Sequence, residues 1–180
     1  MNDIIKKLAI TAINNKLNGT KIPTKYEIVK KNPQFVLHKA TFITLKQNGN
    51  LRGCIGSLVA HRELYDDIIH NAQSAAFNDP RFKPLTLEEL DKTTLEISLL
   101  SDAKLVEYID VDDLKTKITV GVDGVILKLD GKQSTFLPQV WDDLKEFDIF
   151  FEHLCKKAGL GGDCLSKKPL IYKYQVEKIN

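Results

Sequence analysis

The chain has only three cysteines in its 180 residues, Cys54, Cys155 and Cys164. The number is odd and no pair has C-x-x-C spacing, which argues against a disulfide framework and against a structural zinc site. Such cysteine usage suits a reducing compartment. No H-E-x-x-H occurs, and His38, His61, His70 and His153 show no metal-ligand spacing, so no metal site is expected. No apolar run is long enough for a signal sequence or a membrane span, and the first ten residues already carry Asp3, Lys6 and Lys7. Charge of one sign is lacking too. The 26 basic residues face 24 acidic ones, which removes the electrostatic case for nucleic acid or an anionic membrane as the main partner. Gly159-Leu160-Gly161-Gly162 follows a helical stretch rather than a strand, so it reads as a helix cap and loop, and no cofactor is expected. Together these absences point to a cytoplasmic protein.

What is present is ordinary globular material. The hydrophobic fraction of 43% and charged fraction of 28% argue against disorder. The length suits a single domain, residues 1–180.

Apolar residues at Ile5, Leu8, Ala9, Ala12 and Ile13 predict a first helix, stopped by Asn18-Gly19. Thr20 to Gln34 is polar, contains Pro23 and Pro33, and reads as a connector with a short helical turn. Ala40–Lys46 and Leu51–Ile55 read as strands joined by Asn48-Gly49, a strong hairpin signal. A helix is expected from His61 to Phe77, with Leu64, Ile68, Ala72 and Ala75 as its buried stripe and Asn78-Asp79-Pro80 as its end. Thr86-Leu87-Glu88-Glu89 fits a capping box. Thr94–Leu100 alternates as a half-buried strand. Further on, Asp110–Lys115 reads as a short helix, and Ile118–Val120, Val122–Leu129 and Gln133–Leu137 as strands, with Asp130-Gly131 as a second tight turn. Pro138 opens a helical turn through Trp141, Asp148 is placed to cap a helix over Ile149–Ala158, and Leu170–Val176 is the last strand. Hairpin-linked strands with interspersed helices, and no regular βα repeat, predict an α+β fold with mainly antiparallel sheet.

Leu51-Arg52-Gly53-Cys54-Ile55-Gly56-Ser57 is the first candidate for chemistry. Gly53 and Gly56 leave backbone N–H groups open to a ligand, Arg52 has the fork that grips an anion, and Cys54 is a nucleophile if its thiolate is favoured. The alternative is a buried strand cysteine between glycines with Arg52 on the surface. His61 stands where a base toward Cys54 would be, or is simply exposed near a helix start. Asp79 and Arg81 line a polar site, or Asp79 ties up its own turn. Asp123, between Gly121 and Gly124, is either a site carboxylate or part of a turn between strands. Arg52, Cys54, Asp79 and Arg81 are expected around one concavity. Trp141, Phe136 and Phe151 are expected in the core.

Several of these segments, taken in order, resemble the AMMECR domain family. They are Phe42-Ile43-Thr44-Leu45, Leu51-Arg52-Gly53-Cys54-Ile55-Gly56, Asp79-Pro80-Arg81-Phe82, Glu96-Ile97-Ser98-Leu99-Leu100, Val122-Asp123-Gly124, Thr135-Phe136-Leu137-Pro138-Gln139-Val140-Trp141 and Lys157-Ala158-Gly159-Leu160. The likeness runs nearly end to end and is strongest to the prokaryotic branch. It implies a two-lobed α+β fold with a cleft beside the L-R-G-C-I-G loop. It also implies association, in the AmmeMemoRadiSam system, with a Memo-type protein and a radical S-adenosylmethionine enzyme. Leu165 departs from the pattern, since related prokaryotic chains usually carry tryptophan there. Two function classes follow. One is a ligand- or partner-binding component that works through the loop. The other is an enzyme that uses Cys54 with Arg52.

Overall fold

The structure, a computed structural model, describes residues 2–179. It falls into two units, one of residues 2–100 with 177–179 and one of residues 101–176.

In the first unit, helix α1 (Asn2–Asn18) buries the expected stripe of Ile5, Leu8, Ala9, Ala12 and Ile13. It ends where Gly19 takes φ +77°, a left-handed angle that glycine adopts without penalty. The connector holds helix α2 (Lys25–Val29), started by a capping box between Thr24 and Glu27, and a 3-10 turn at Pro33–Val36. Strands β1 (Ala40–Gln47) and β2 (Asn50–Gly56) form the expected hairpin. Asn48 and Gly49 both have positive φ there, as a two-residue turn between twisted strands requires.

Helix α3 (Leu64–Phe77) begins three residues later than its periodicity suggests. His61–Glu63 is held extended instead: His38 bridges Glu63, Lys39 N–H donates to Arg62 O, and Leu64 N–H donates to Leu37 O. His61 therefore lies in a loop and is exposed. Helix α4 (Leu87–Leu90) carries the expected capping box of Thr86 and Glu89. Strand β3 (Thr93–Leu100) pairs antiparallel with β1. The first sheet has the order β2-β1-β3-β8, where β8 is Val176–Ile179. Ile43, Leu45, Ile97 and Ile179 from the sheet share one core with α1 and α3.

The second unit has its own sheet, order β4-β7-β5-β6, built from β4 (Lys104–Val106), β5 (Gly124–Leu129), β6 (Lys132–Phe136) and β7 (Leu170–Tyr174). Helix α5 (Val111–Lys117) is capped by Asp110. Four expectations are corrected in this unit. Ile118–Val120 is not a strand, because Val122 and Asp123 both donate N–H to Thr119 O and close a turn. Asp148 does not cap helix α6 (Phe147–Lys157); Glu146 precedes the helix, and Asp148 sits in its first turn, 3.0 Å from Lys115 Nζ. The last expected strand divides at Gln175 into β7 and β8, where Ser101 and Gln175 exchange two hydrogen bonds. Finally, Cys155 and Cys164 form a disulfide with Cα atoms 5.8 Å apart, against the expectation of none. The left-handed Gly159 that ends α6 (φ +69°) and the 3-10 turn at Cys164–Lys167 bring the chain back on itself, a reversal that sequence spacing does not express.

Trp141 anchors this second core. Its ring stacks on Phe150 with centroids 3.5 Å apart, and its Nε1–H donates to Asp123 O at 2.8 Å. Phe151 is fully buried, but Phe136 is only partly so, with the Lys157 ammonium 4.8 Å from its ring centre. Leu165 also packs against this core. Trp141→Ala removes the stacked ring and orphans the Asp123 carbonyl, so we expect a loss of about 3–5 kcal/mol in urea unfolding. A much smaller loss would show that the second core does not rest on this stack.

Candidate functional site

The L-R-G-C-I-G segment is strand β2, on the edge of the first sheet. Leu45 pairs with Gly53 and Lys46 with Leu51, so Arg52 has no residue opposite and is the extra residue of a β-bulge. A bulge bends its strand and re-aims the side chain it carries. Arg52 reaches the start of α4. Its Nε and Nη2 donate to the two Glu89 carboxylate oxygens at 3.2 and 3.0 Å, and Nη2 also donates to Lys83 O at 3.0 Å. The Arg52 guanidinium and the Thr86 N–H hold the Glu89 carboxyl below its ordinary range. Arg52 is therefore committed to a protein carboxylate through a two-pronged pair.

Gly53 faces helix α3. A Cβ there would lie 2.2 Å from the Ala75 carbonyl oxygen, so only glycine lets the strand and helix backbones approach this closely. Its φ is not positive, so the requirement is space and not backbone angle. Gly56 is constrained by space as well, since the Phe42 ring lies where its Cβ would be, at 2.2 Å.

Cys54 points away from the face that Gly53 presents to α3, because neighbouring strand residues alternate. It pairs with Thr44, and its Sγ lies 3.3 Å from Thr44 Oγ1. Thr44 in turn pairs with Glu96 on β3, which is ion-paired with Lys46 at 2.7 Å. Cys54, Thr44 and Glu96 thus form one cross-strand row. Glu96 was legible only as the polar side of a strand, and its place in this row depends on register.

An edge strand leaves one row of N–H and C=O groups unpaired. At Cys54 that row is occupied by the Asp79-Pro80-Arg81 turn. Asp79 Oδ2 accepts the Cys54 N–H at 2.9 Å, and Arg81 Nη2 donates to Cys54 O at 3.4 Å. Arg81 also grips Asp79 with Nε at 3.0 Å and Nη2 at 2.7 Å. The Arg81 guanidinium holds the Asp79 carboxyl far below the usual carboxylate range. Burial opposes that shift, and the N–H groups of Cys54 and Arg81 add to it. The Phe82 ring lies near both arginines, 5.8 Å from the Arg52 guanidinium and 5.5 Å from that of Arg81. Arg52, Cys54, Asp79 and Arg81 are thereby brought together from separate parts of the chain.

Two named residues take no part in these hydrogen bonds. His61 hydrogen-bonds through its backbone N–H to Val59 O, and its side chain is exposed. Asp123 belongs to the second unit, where its buried carboxylate accepts the Thr119 N–H at 2.9 Å and pairs with Lys173 at 3.2 Å. It closes the turn before β5.

One group of residues escaped the sequence reading. Asp67 is 1% exposed, and Oδ2 accepts from the Thr41 N–H, the Thr41 hydroxyl and Asn71 Nδ2, while Oδ1 accepts from the Ser57 hydroxyl and Arg62. This network bolts α3 to β1 and to the residue after β2. Its signal was present: Asp67 and Asn71 fall on the same helical stripe as Leu64, Ile68 and Ala75.

The AMMECR1 family model matches residues 6–179. A protein of Methanothermobacter thermautotrophicus is 36% identical over 95% of this chain and 89% of its own length. A protein of Thermoplasma volcanium, TV1384, is 37% identical over 93% of this chain and 83% of its own. Among solved structures, the uncharacterized protein PH0010 from Pyrococcus horikoshii superimposes with a TM-score of 0.85 at 32% identity, over 98% of this chain and 89% of that one.

Gly53→Ala forces a methyl group against backbone, which cannot swing aside, so we expect a loss at or above the upper end of the ~1–3 kcal/mol typical of overpacking. Cys54→Ser swaps one small side chain for another and should leave the melting curve nearly unchanged. Equal stability of the two variants in thermal melts would remove the close-approach argument.

The Asp79 carboxyl adds a pH dependence. Its folded pKa lies below the unfolded value of about 3.9, so its contribution is fully present above that pH and is lost as pH falls toward the folded value. Asp79→Asn should flatten the acid limb of the stability–pH curve below about pH 4. An unchanged acid limb in that variant would show that the pair with Arg81 does not stabilise the fold.

Proposed function

Because the chain belongs to the AMMECR1 family, we propose that it is a cytoplasmic, non-catalytic binding component of the AmmeMemoRadiSam system, engaging a ligand or partner through the surface around Cys54, Arg81 and Phe82. One observation carries this reading. Most of the polar groups that a catalytic loop would turn toward a substrate are engaged within the protein: Arg52 Nε and Nη2 on Glu89, with only its buried Nη1 without a partner among the described residues, and the Cys54 N–H on Asp79. What remains outward is the Arg81 guanidinium, whose side chain is 55% exposed, beside the partly exposed Phe82 and Cys54. A rigid strand edge presenting an arginine and an aromatic ring has the composition of a recognition surface. The Memo-type protein and the radical S-adenosylmethionine enzyme are the partners to which the family resemblance points.

The enzyme reading has one observation in its favour. Cys54 is a free, partly exposed thiol held beside the Thr44 hydroxyl. Titration calorimetry of the chain against each purified partner separates the two readings. Phe82→Ala and Arg81→Gln, each checked for an intact fold, should weaken the complex at least about tenfold, while Cys54→Ser should leave it unchanged. Should Cys54→Ser retain the complex but abolish function in cells, the thiol has a chemical role and the non-catalytic reading is wrong.

A further inference from the structure

A cavity of about 460 Å³ lies between helix α1 and the connector that carries helix α2. That volume is within the range of sites that hold small molecules. Its walls are Ile4 and Leu8 from α1 with Pro23 and Ile28 from the connector, and Leu8 and Ile28 belong to the core of the first unit or pack against it. The apolar wall is therefore continuous with that core.

Basic groups outnumber acidic ones at the mouth. Lys7, Lys21 and Lys31 line the same cavity and are exposed. Among the described residues, none of the three ammonium groups makes a hydrogen bond or a close ion pair, although Lys21 lies near enough to Glu27 to favour its ionised form. The one carboxylate in the lining, Glu27, is held in the α2 cap by the Thr24 N–H at 2.7 Å and the Thr24 hydroxyl at 2.8 Å, and offsets one of the three positive charges. An apolar wall ringed by three ammonium groups and one carboxylate keeps a net positive mouth, complementary to a molecule with an apolar body and an anionic head. Lysine stems lie along apolar surface while their heads stay in water, so the same side chains serve both parts.

We propose that this cavity binds a free, small amphipathic carboxylate, its alkyl chain against Leu8 and Ile28 and its head group among Lys7, Lys21 and Lys31. The site is separate from the β2 edge and does not depend on the reading of that edge. Octanoate is a suitable probe, and octan-1-ol is its uncharged counterpart. Titration calorimetry on the full chain should give octanoate a Kd below about 1 mM and octan-1-ol a clearly weaker one. The doubly reversed Lys21→Glu/Lys31→Glu protein, folded by its melting curve, should bind octanoate at least about tenfold more weakly with octan-1-ol unchanged. Thr11→Phe, which fills the cavity from α1, should remove binding of both. The proposal is overturned by equal affinity for the two probes, by insensitivity to the charge reversal, or by octanoate binding that persists in folded Thr11→Phe. Sedimentation with phosphatidylglycerol vesicles without any octanoate binding would likewise overturn it, by assigning the lysines to a lipid surface.

Discussion

At Gly53 the backbone of β2 passes so close to the last turns of α3 that a single added carbon would meet the Ala75 carbonyl oxygen at 2.2 Å. The arrangement of the first unit around its signature strand follows from that approach. It sets the depth at which α3 lies on the sheet. At that depth Asp67 and Asn71 reach Thr41 and Ser57, and a buried carboxylate becomes satisfied by donors from both sides. A buried charge without such partners would cost several kcal/mol, so close approach and polar network require each other. The same packing leads the chain out of α3 at Asn78 and returns it along the β2 edge, where Asp79 meets the Cys54 N–H.

The signature residues divide into two kinds. Gly53, Gly56, Arg52 and Asp79 shape and brace the edge strand. Gly53 and Gly56 make room, Arg52 leaves the bulge to tie β2 to α4 through Glu89, and Asp79 occupies the strand's unpaired N–H. Arg81, Phe82 and Cys54 are what this bracing presents outward. A braced edge holds its exposed groups in fixed positions at little entropic cost on binding, which is the condition under which a few side chains carry recognition.

The second unit solves its packing differently. A stacked pair, Trp141 on Phe150, fills its centre, and the indole N–H is satisfied by the backbone of the turn that Asp123 closes. Tyr174 covers Gly124 in the neighbouring strand, where a Cβ would lie 2.4 Å from its ring. Burial pushes its hydroxyl up to about 12, and that hydroxyl lies 3.1 Å from Thr135 Oγ1 and donates to Phe136 O. In both units, then, glycines in strands mark close approach rather than turns.

Local chemistry alone determined most of the elements. The stripe of α1, the Asn48-Gly49 hairpin, the capping box at Thr86, and the α+β class are short-range matters of periodicity, turn angles and capping, and each was legible in the residues themselves. The motif segments were legible too, as a family resemblance over nearly the whole chain. Four things were decided only by tertiary structure. The start of α3 moved because a distant segment, His38, claimed Glu63 for a bridge. Cys155 and Cys164 met because a left-handed Gly159 turned the chain back. Arg52 lost its freedom because a bulge aimed it at Glu89, 37 positions away. Gly53 proved to need space rather than a special angle because α3 lies against it. In each case the deciding partner is remote in the chain, and spacing records only neighbours; which donor meets which acceptor across a fold depends on register and packing depth, and these exist only once the helix has docked on its sheet.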